Sequence, residues 1–247
     1  MLDDLSPFWV NPICVVDFES TSADPNECLP VQVGAVLFAG SDTREFCMMI
    51  DPGVAIPVEA SAIHGIKDED VQGMPSPEGA LRMLEAWLGD DEAIPCAYNA
   101  SFDETIYKRF SGGSPNGHFL NNRPWVDPLI MIRHFDRWVP GKGRHRLSNA
   151  CKRWGVNLDG GHDALHDARA TGRLLLAMKP KLGDVTYSEL ICRQRKRAEE
   201  QERDFAEWRS KQPPIEKNRT DVPAVSRTDV VGDKILEEHA APPWDFL

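Results

Sequence analysis

Apolar residues cluster in short uninterrupted runs over the first hundred positions and in stripes of helical spacing thereafter. The runs Ile13-Cys14-Val15-Val16 and Val31-Gln32-Val33-Gly34-Ala35-Val36-Leu37-Phe38 have the length and β-branched content of buried strands. By the same reading strands are predicted at 13–18, 31–38, 43–50, 93–98 and 124–126. Helices are predicted at 76–88, where Ser76-Pro77-Glu78 is a start signal, and at 101–111, 127–138, 146–154 and 163–178. In the last of these, Ala164, Ala168, Thr171, Leu175 and Met178 recur at helical spacing and form the face that packs inward. Early strands followed by alternating helices and strands define a layered α/β fold.

Three polar interruptions of this pattern carry candidate chemistry. The first strand ends in Asp17-Phe18-Glu19. Side chains two apart on a strand share a face, so these acids point the same way, roughly 7 Å apart. Like charges at the end of an apolar strand repel and lose hydration, which is costly unless a cation compensates them. The plain alternative is a strand running out into a solvated acidic turn.

The second interruption is Tyr98-Asn99-Ala100-Ser101-Phe102-Asp103-Glu104. Ser101 with Glu104 reads as a capping box, which places Asp103 in the first helical turn, where the dipole favours an acid even without function. Asn99 and Phe102 have the plain readings of a turn amide and a core ring. The third is Gly160-Gly161-His162-Asp163-Ala164-Leu165-His166-Asp167. On a continuous helix His162 and Asp167 would stand about 140° apart, so the glycines are expected to put His162 on the loop leading into the helix, where it can reach the Asp167 site. His162 and His166, four apart with an acid between, also imitate a zinc hydrolase motif. Aspartate shortens the base of that motif by one methylene, and no third ligand is evident downstream.

In order and separation, Asp17-x-Glu19, Asn99-x-x-Phe102-Asp103 and His162-x-Ala164-x-x-Asp167 resemble the Exo I, Exo II and Exo III motifs of the DEDDh 3′-to-5′ exonucleases. Val31 to Val36, the stretch Ile56-Pro57 through Ala62-Ile63-His64-Gly65-Ile66, and Val126-Asp127-Pro128-Leu129 through Leu147-Ser148 are similar to proofreading epsilon subunits, so the likeness covers about residues 11–180. The resemblance implies a ribonuclease H-like fold with a mixed five-stranded sheet flanked by helices. It also implies two Mg²⁺ or Mn²⁺ ions held by Asp17, Glu19, Asp103 and Asp167, a choice that suits an all-carboxylate site. His162 is implied as general base, a task to which imidazoles, which titrate near neutrality, are suited. Ser20, Thr21, His64, Asn99 and Phe102 would be substrate contacts, although His64 also reads as a turn histidine and Phe102 as packing beneath the site. His166 has no counterpart in the motif, and Asp127 reads as a helix cap. The implied reaction releases nucleoside 5′-monophosphates from a DNA 3′ end, in proofreading or repair. A 3′-to-5′ exoribonuclease keeps the chemistry and changes the substrate. A silent nucleic-acid-binding module is a third reading, set against by the presence of all five catalytic-type residues.

A net charge of −11 argues against strong non-specific nucleic-acid binding, which cationic side chains supply. Between Arg133 and Arg153, however, lie Arg137, Lys142, Arg144, Arg146 and Lys152 with Asp136 as the only acid. Arg144 and Arg146 are therefore expected to grip the strand backbone, with a solvated basic face as the alternative. Cysteines 14, 28, 47, 96, 151 and 192 form no close pairs and read as reduced thiols. The start Met1-Leu2-Asp3-Asp4 lacks a secretory pattern, and no stretch approaches membrane-spanning length, so a cytoplasmic setting without a membrane partner is expected.

Three regions are expected: an exonuclease domain over 1–182, a charged helical extension over 183–211 with Leu190, Phe205 and Trp208 as docking points, and a disordered linker over 212–247. The linker ends in Pro242-Pro243-Trp244-Asp245-Phe246-Leu247. Aromatic groups at the tip of a polar tail suit anchoring, so this end is expected to dock a polymerase, a sliding clamp or a single-strand-binding protein, with packing onto its own domain as the alternative.

Overall fold

The computed structural model describes residues 5–89, 92–112, 119–158, 160 and 162–211. Its sheet contains β1 (Ile13–Ser20), β2 (Pro30–Ala39), β3 (Asp42–Met49) and β4 (Ile94–Cys96) in the order β3-β2-β1-β4. β2 runs antiparallel to both β1 and β3, and β4 runs parallel to β1. The helices are α1 (Val58–His64), α2 (Asp68–Val71), α3 (Pro77–Leu88), α4 (Ala100–Phe110), α5 (Phe119–Asn122), α6 (Pro128–Phe135), α7 (Leu147–Arg153), α8 (Ala164–Ala177), α9 (Lys179–Leu182) and α10 (Tyr187–Ser210).

Strand alternation sorts the core into two layers. Ile13 and Val15 of β1, with Val36 of β2, face Ala168 and Leu174 of α8, Ile132 of α6 and Leu190 of α10. Cys14, Val16 and Phe18, with Val33, Ala35 and Leu37, face Leu81 and Leu84 of α3 and Ile106 and Tyr107 of α4. The helices thus cover both faces, and β1 ends between them. A satellite cluster of Val31, Ile56, Ala60, Ile66 and Val71 seats α1 and α2.

Two glycines set how closely α8 approaches. A Cβ on Gly34 would lie 2.3 Å from the Ala164 carbonyl carbon and the Leu165 nitrogen, and one on Gly172 would lie 2.1 Å from the Phe38 ring. Helix backbone therefore rests directly on β2, and the predicted inward stripe of α8, from Ala164 to Met178, is buried throughout.

The mixed sheet flanked by helices matches the expected fold class, but the fifth strand contracts to a single parallel bridge between Cys96 and Val126. Pro124 lies just before it, and Asp127 already caps α6, whose first residue is Pro128, so no length remains for a strand. The predicted helix over 127–138 stops at Phe135. The capping box at Ser101 and Glu104 does not form. α4 starts one residue earlier, Ser101 lies inside it, and Glu104 pairs instead with Lys108 at 2.6 Å.

α10 lies along the core. Leu190 and Ile191 are buried, Gln194 Nε2 donates to the Trp125 carbonyl at 2.9 Å, and Gln201 Nε2 donates to the Ile130 carbonyl at 2.9 Å. Phe205 and Trp208 stack on each other with ring centroids 5.7 Å apart. The expectations for the stretch after residue 211, including the terminal aromatic segment, lie outside the described residues.

Candidate active site

The acids gather at the C-terminal end of β1. Strand register pairs Asp17 with Gly34 and Glu19 with Gln32, so both acids project toward the N-terminus of α8. The missing side chain at Gly34 lets that helix come close enough for Asp167, in its first turn, to join them. His162 precedes the α8 N-cap Asp163, on a loop as the sequence predicts. Ligand atoms of Glu19, His162 and Asp167 lie within 4.8 Å of one another.

Asp103 arrives from the opposite layer. It sits in the first turn of α4, is 3% exposed, and accepts a hydrogen bond from the Phe18 backbone N–H at 3.0 Å. That bond ties α4 to β1 between Asp17 and Glu19. The turn feeding α4 is held by an acid outside the expected set. Asp127 accepts from the N–H groups of Asn99 at 3.0 Å and Ala100 at 3.1 Å while also capping Leu129 at 2.9 Å. Asn99 adopts a left-handed φ of 65°, which asparagine tolerates better than most residues. Asp127 is thus the helix cap the sequence suggests, and in addition a cap on α4. Burial pushes its carboxyl up to about 6.

The electrostatics of the cluster call for a cation. Burial, then Asp103, Asp167 and Glu19, raise the Asp17 carboxyl well above the ordinary carboxylate range. Burial first, then Asp167 and Asp163, push Glu19 up to about 7. Burial also raises Asp103, against the Phe18 N–H, and Asp167, against His162. Oδ1 of Asp167 is buried with no hydrogen-bond partner. A buried carboxylate oxygen left unpaired beside three other acids fits a divalent ion, and the oxygen-rich donor set fits a hard one. His162 lies within the same trio as Glu19 and Asp167.

Beside this cluster opens a cavity of about 580 Å³. Its walls bring together Ser20, Thr21, His64, Asn99 and Phe102, all expected substrate contacts, with Phe18 and Glu19. Some of their polar atoms are already engaged. Thr21 Oγ1 accepts from the Leu29 N–H at 3.0 Å, and Ser20 Oγ donates to the Ser22 carbonyl at 2.8 Å. The Ile66 N–H donates to Nδ1 of His64 at 3.1 Å. Nε2 of His64 is buried beside the Ser20 backbone with no partner in hydrogen-bond geometry, and burial lowers its pKa. Arg144 and Arg146 do not line this cavity. Arg144 faces a separate groove of about 510 Å³ with Trp138 and Trp208, and Arg146 is the exposed N-cap residue of α7. Pro57, Glu59 and Ile63 also join the cavity wall, a part the sequence reading misses because α1 carries no strong start signal.

A mixed sheet with helices on both faces thus brings acids from two layers to a histidine loop at one strand end. Residues 14–175 match the exonuclease family RNase_T, and the chain belongs to that family. The PolC-type DNA polymerase III of Streptococcus suis is 33% identical over 166 residues, which cover 65% of this chain and 11% of that protein. The chain therefore spans about a tenth of the length of the curated relatives it matches. At the level of the fold it is similar to exonuclease X in complex with 5′ overhanging duplex DNA, with a TM-score of 0.52, 21% identity, and coverage of 68% of this chain and 92% of that one. E. coli exonuclease I in complex with a dA16 oligonucleotide gives a TM-score of 0.58 at 16% identity, covering 73% of this chain and 42% of that one. Among the described residues no helix is long and apolar enough to cross a membrane.

Proposed function

We propose that the chain is a metal-dependent 3′-to-5′ exonuclease that removes nucleoside 5′-monophosphates from DNA ends. The observation that carries this reading is the meeting of Glu19, His162 and Asp167 within 4.8 Å beside the mutually repelling Asp17 and Asp103. The PolC-type relatives, which are DNA polymerases by name, favour DNA over RNA and a setting in DNA replication or repair.

Asp17, Glu19, Asp103 and Asp167 would hold two Mg²⁺ or Mn²⁺ ions. Ions held there would make an attacking water more acidic and would offset charge on the departing oxygen. His162 takes the proton from the attacking water. Phosphorus gains the new oxygen and its bond to the 3′ oxygen of the penultimate nucleotide breaks, so the terminal nucleotide leaves with its 5′ phosphate. Phe18, His64, Asn99 and Phe102 form the wall against which that nucleotide rests. Residues 1–182 form the catalytic domain and 183–211 an extension docked on it. Residues 212–247 are a docking segment for a polymerase, clamp or single-strand-binding protein.

The test is incubation of purified protein with Mg²⁺ or Mn²⁺ and 5′-labelled DNA and RNA oligonucleotides. Stepwise shortening of DNA from the 3′ end with mononucleotide release supports the reading. Endonucleolytic fragments, or a strong preference for RNA, count against it.

A further inference from the structure

We propose that Gln32 is a positioning residue for His162, holding the loop that presents the imidazole to the site. The proposal rests on the nuclease reading above for its functional consequence and on β2 for its geometry. Gln32 is the only polar side chain in the run Pro30–Ala39, and it is 2% exposed. A buried amide needs partners for both its ends. Nε2 donates to Oδ2 of Asp163 at 3.2 Å, and Oε1 accepts from the Ala164 N–H at 3.0 Å. Because a backbone N–H only donates, the Ala164 contact fixes which end of the amide is oxygen.

Asp163 completes the arrangement. Its Oδ1 accepts from the N–H groups of Leu165 and His166, each at 3.1 Å. The first three N–H groups of α8 are thus shared between one side chain on the helix and one on the sheet. His162 lies directly outside this double cap with a φ of 64°, a left-handed conformation that carries a steric penalty and persists only when its surroundings enforce it. Ligand atoms of His162 and Asp167 lie within 4.8 Å of each other. Gln32 therefore fixes the junction between this loop and α8. Since Gln32 is the cross-strand partner of Glu19, the same strand register that aims Glu19 also aims the histidine loop.

The experiment compares wild type with Gln32→Met, Gln32→Glu and the double variant Gln32→Glu/Asp163→Asn. Each is assayed for kcat and KM on a single-stranded DNA oligonucleotide with Mg²⁺, and for His162 backbone shifts in protein carrying ¹³C,¹⁵N-labelled histidine. Methionine keeps the volume and removes both bonds, together with the Nε2 contact to Cys47 Sγ at 3.6 Å. Glutamate keeps the acceptor for Ala164 and sets two carboxylates against each other. In the double variant the amide introduced at position 163 can donate to the carboxylate introduced at position 32 and still cap α8. Gln32→Met and Gln32→Glu are expected to lower kcat at least tenfold with KM within about twofold, and to lose the positive-φ signature of His162. The double variant is expected to recover both relative to Gln32→Glu. A purely structural role would lower the folded fraction, read by circular dichroism, without a kcat-selective loss or a reciprocal rescue. Wild-type kcat in folded Gln32→Met, or no recovery in the double variant, overturns the proposal. If wild type degrades no DNA, the nuclease reading fails separately, and the His162 shifts alone decide whether Gln32 holds the loop.

Discussion

The Phe18 backbone N–H donates to the Asp103 carboxylate at 3.0 Å, joining the first turn of α4 to the strand between Asp17 and Glu19. This bond gives Asp103 a structural part besides its charge, and the two separate by mutation. Asp103→Asn keeps an acceptor for Phe18 and is expected to stay folded while losing at least a hundredfold in nuclease rate. Asp103→Ala is expected to lose the rate and also about 1–2 kcal/mol of stability in urea titrations, because a buried N–H is left unpaired.

Repulsion within the cluster predicts a stabilising lesion. Asp17 is held above the carboxylate range by burial and by four neighbouring acids, Asp103, Asp167, Glu19 and Asp163. Asp17→Asn removes one charge at nearly constant volume. Without divalent ions at pH 8, its Tm is expected to exceed that of wild type by roughly 3–6 °C, the scale of about 1–2 kcal/mol in a domain of this size. An unchanged or lower Tm would mean that the acids do not strain one another.

The same cluster sets a pH dependence. Glu19 moves from an ordinary 4.5 to about 7 on folding, so between these values the folded chain holds more protons than the unfolded one. Its contribution to stability is fully present below 4.5 and is lost as pH rises through about 7. The ion-free protein should therefore lose stability over that window, and Mn²⁺ should raise Tm more at pH 8 than at pH 5. Differential scanning fluorimetry at the two pH values, with and without Mn²⁺, reads this directly. An equal Mn²⁺ shift at both would contradict it.

Close approach of α8 to β2 yields a packing prediction. An added methyl at Gly34 meets helix backbone at 2.3 Å. Gly34→Ala is expected to cost roughly 3 kcal/mol in urea unfolding, because the neighbour is main chain and cannot swing aside. Loss of under about 0.5 kcal/mol would show that the helix stands further off.

Much of this site is legible along the chain, because strand and helix periods are local. The two-residue spacing of Asp17 and Glu19 aims them together, and the glycines before His162 mark a loop. Other parts depend on distant partners. Ser101 and Glu104 satisfy the local rule for a helix start, but Asp127 caps the turn from 28 residues away in sequence and moves the start to Ala100. The fifth strand fails because two prolines bracket Val126. Gln32 leaves a trace, a lone amide inside an apolar strand, but its partners on α8 stand about 130 positions downstream.

The most direct measurement compares wild type and Asp17→Ala on a 5′-labelled DNA oligonucleotide with Mn²⁺, with and without excess EDTA. Wild type is expected to shorten the strand from its 3′ end and release 5′-mononucleotides only when Mn²⁺ is free. Asp17→Ala, folded by circular dichroism, is expected to leave the strand intact. Degradation that survives EDTA or the loss of Asp17 would contradict the assignment of these acids to a metal-dependent exonuclease centre.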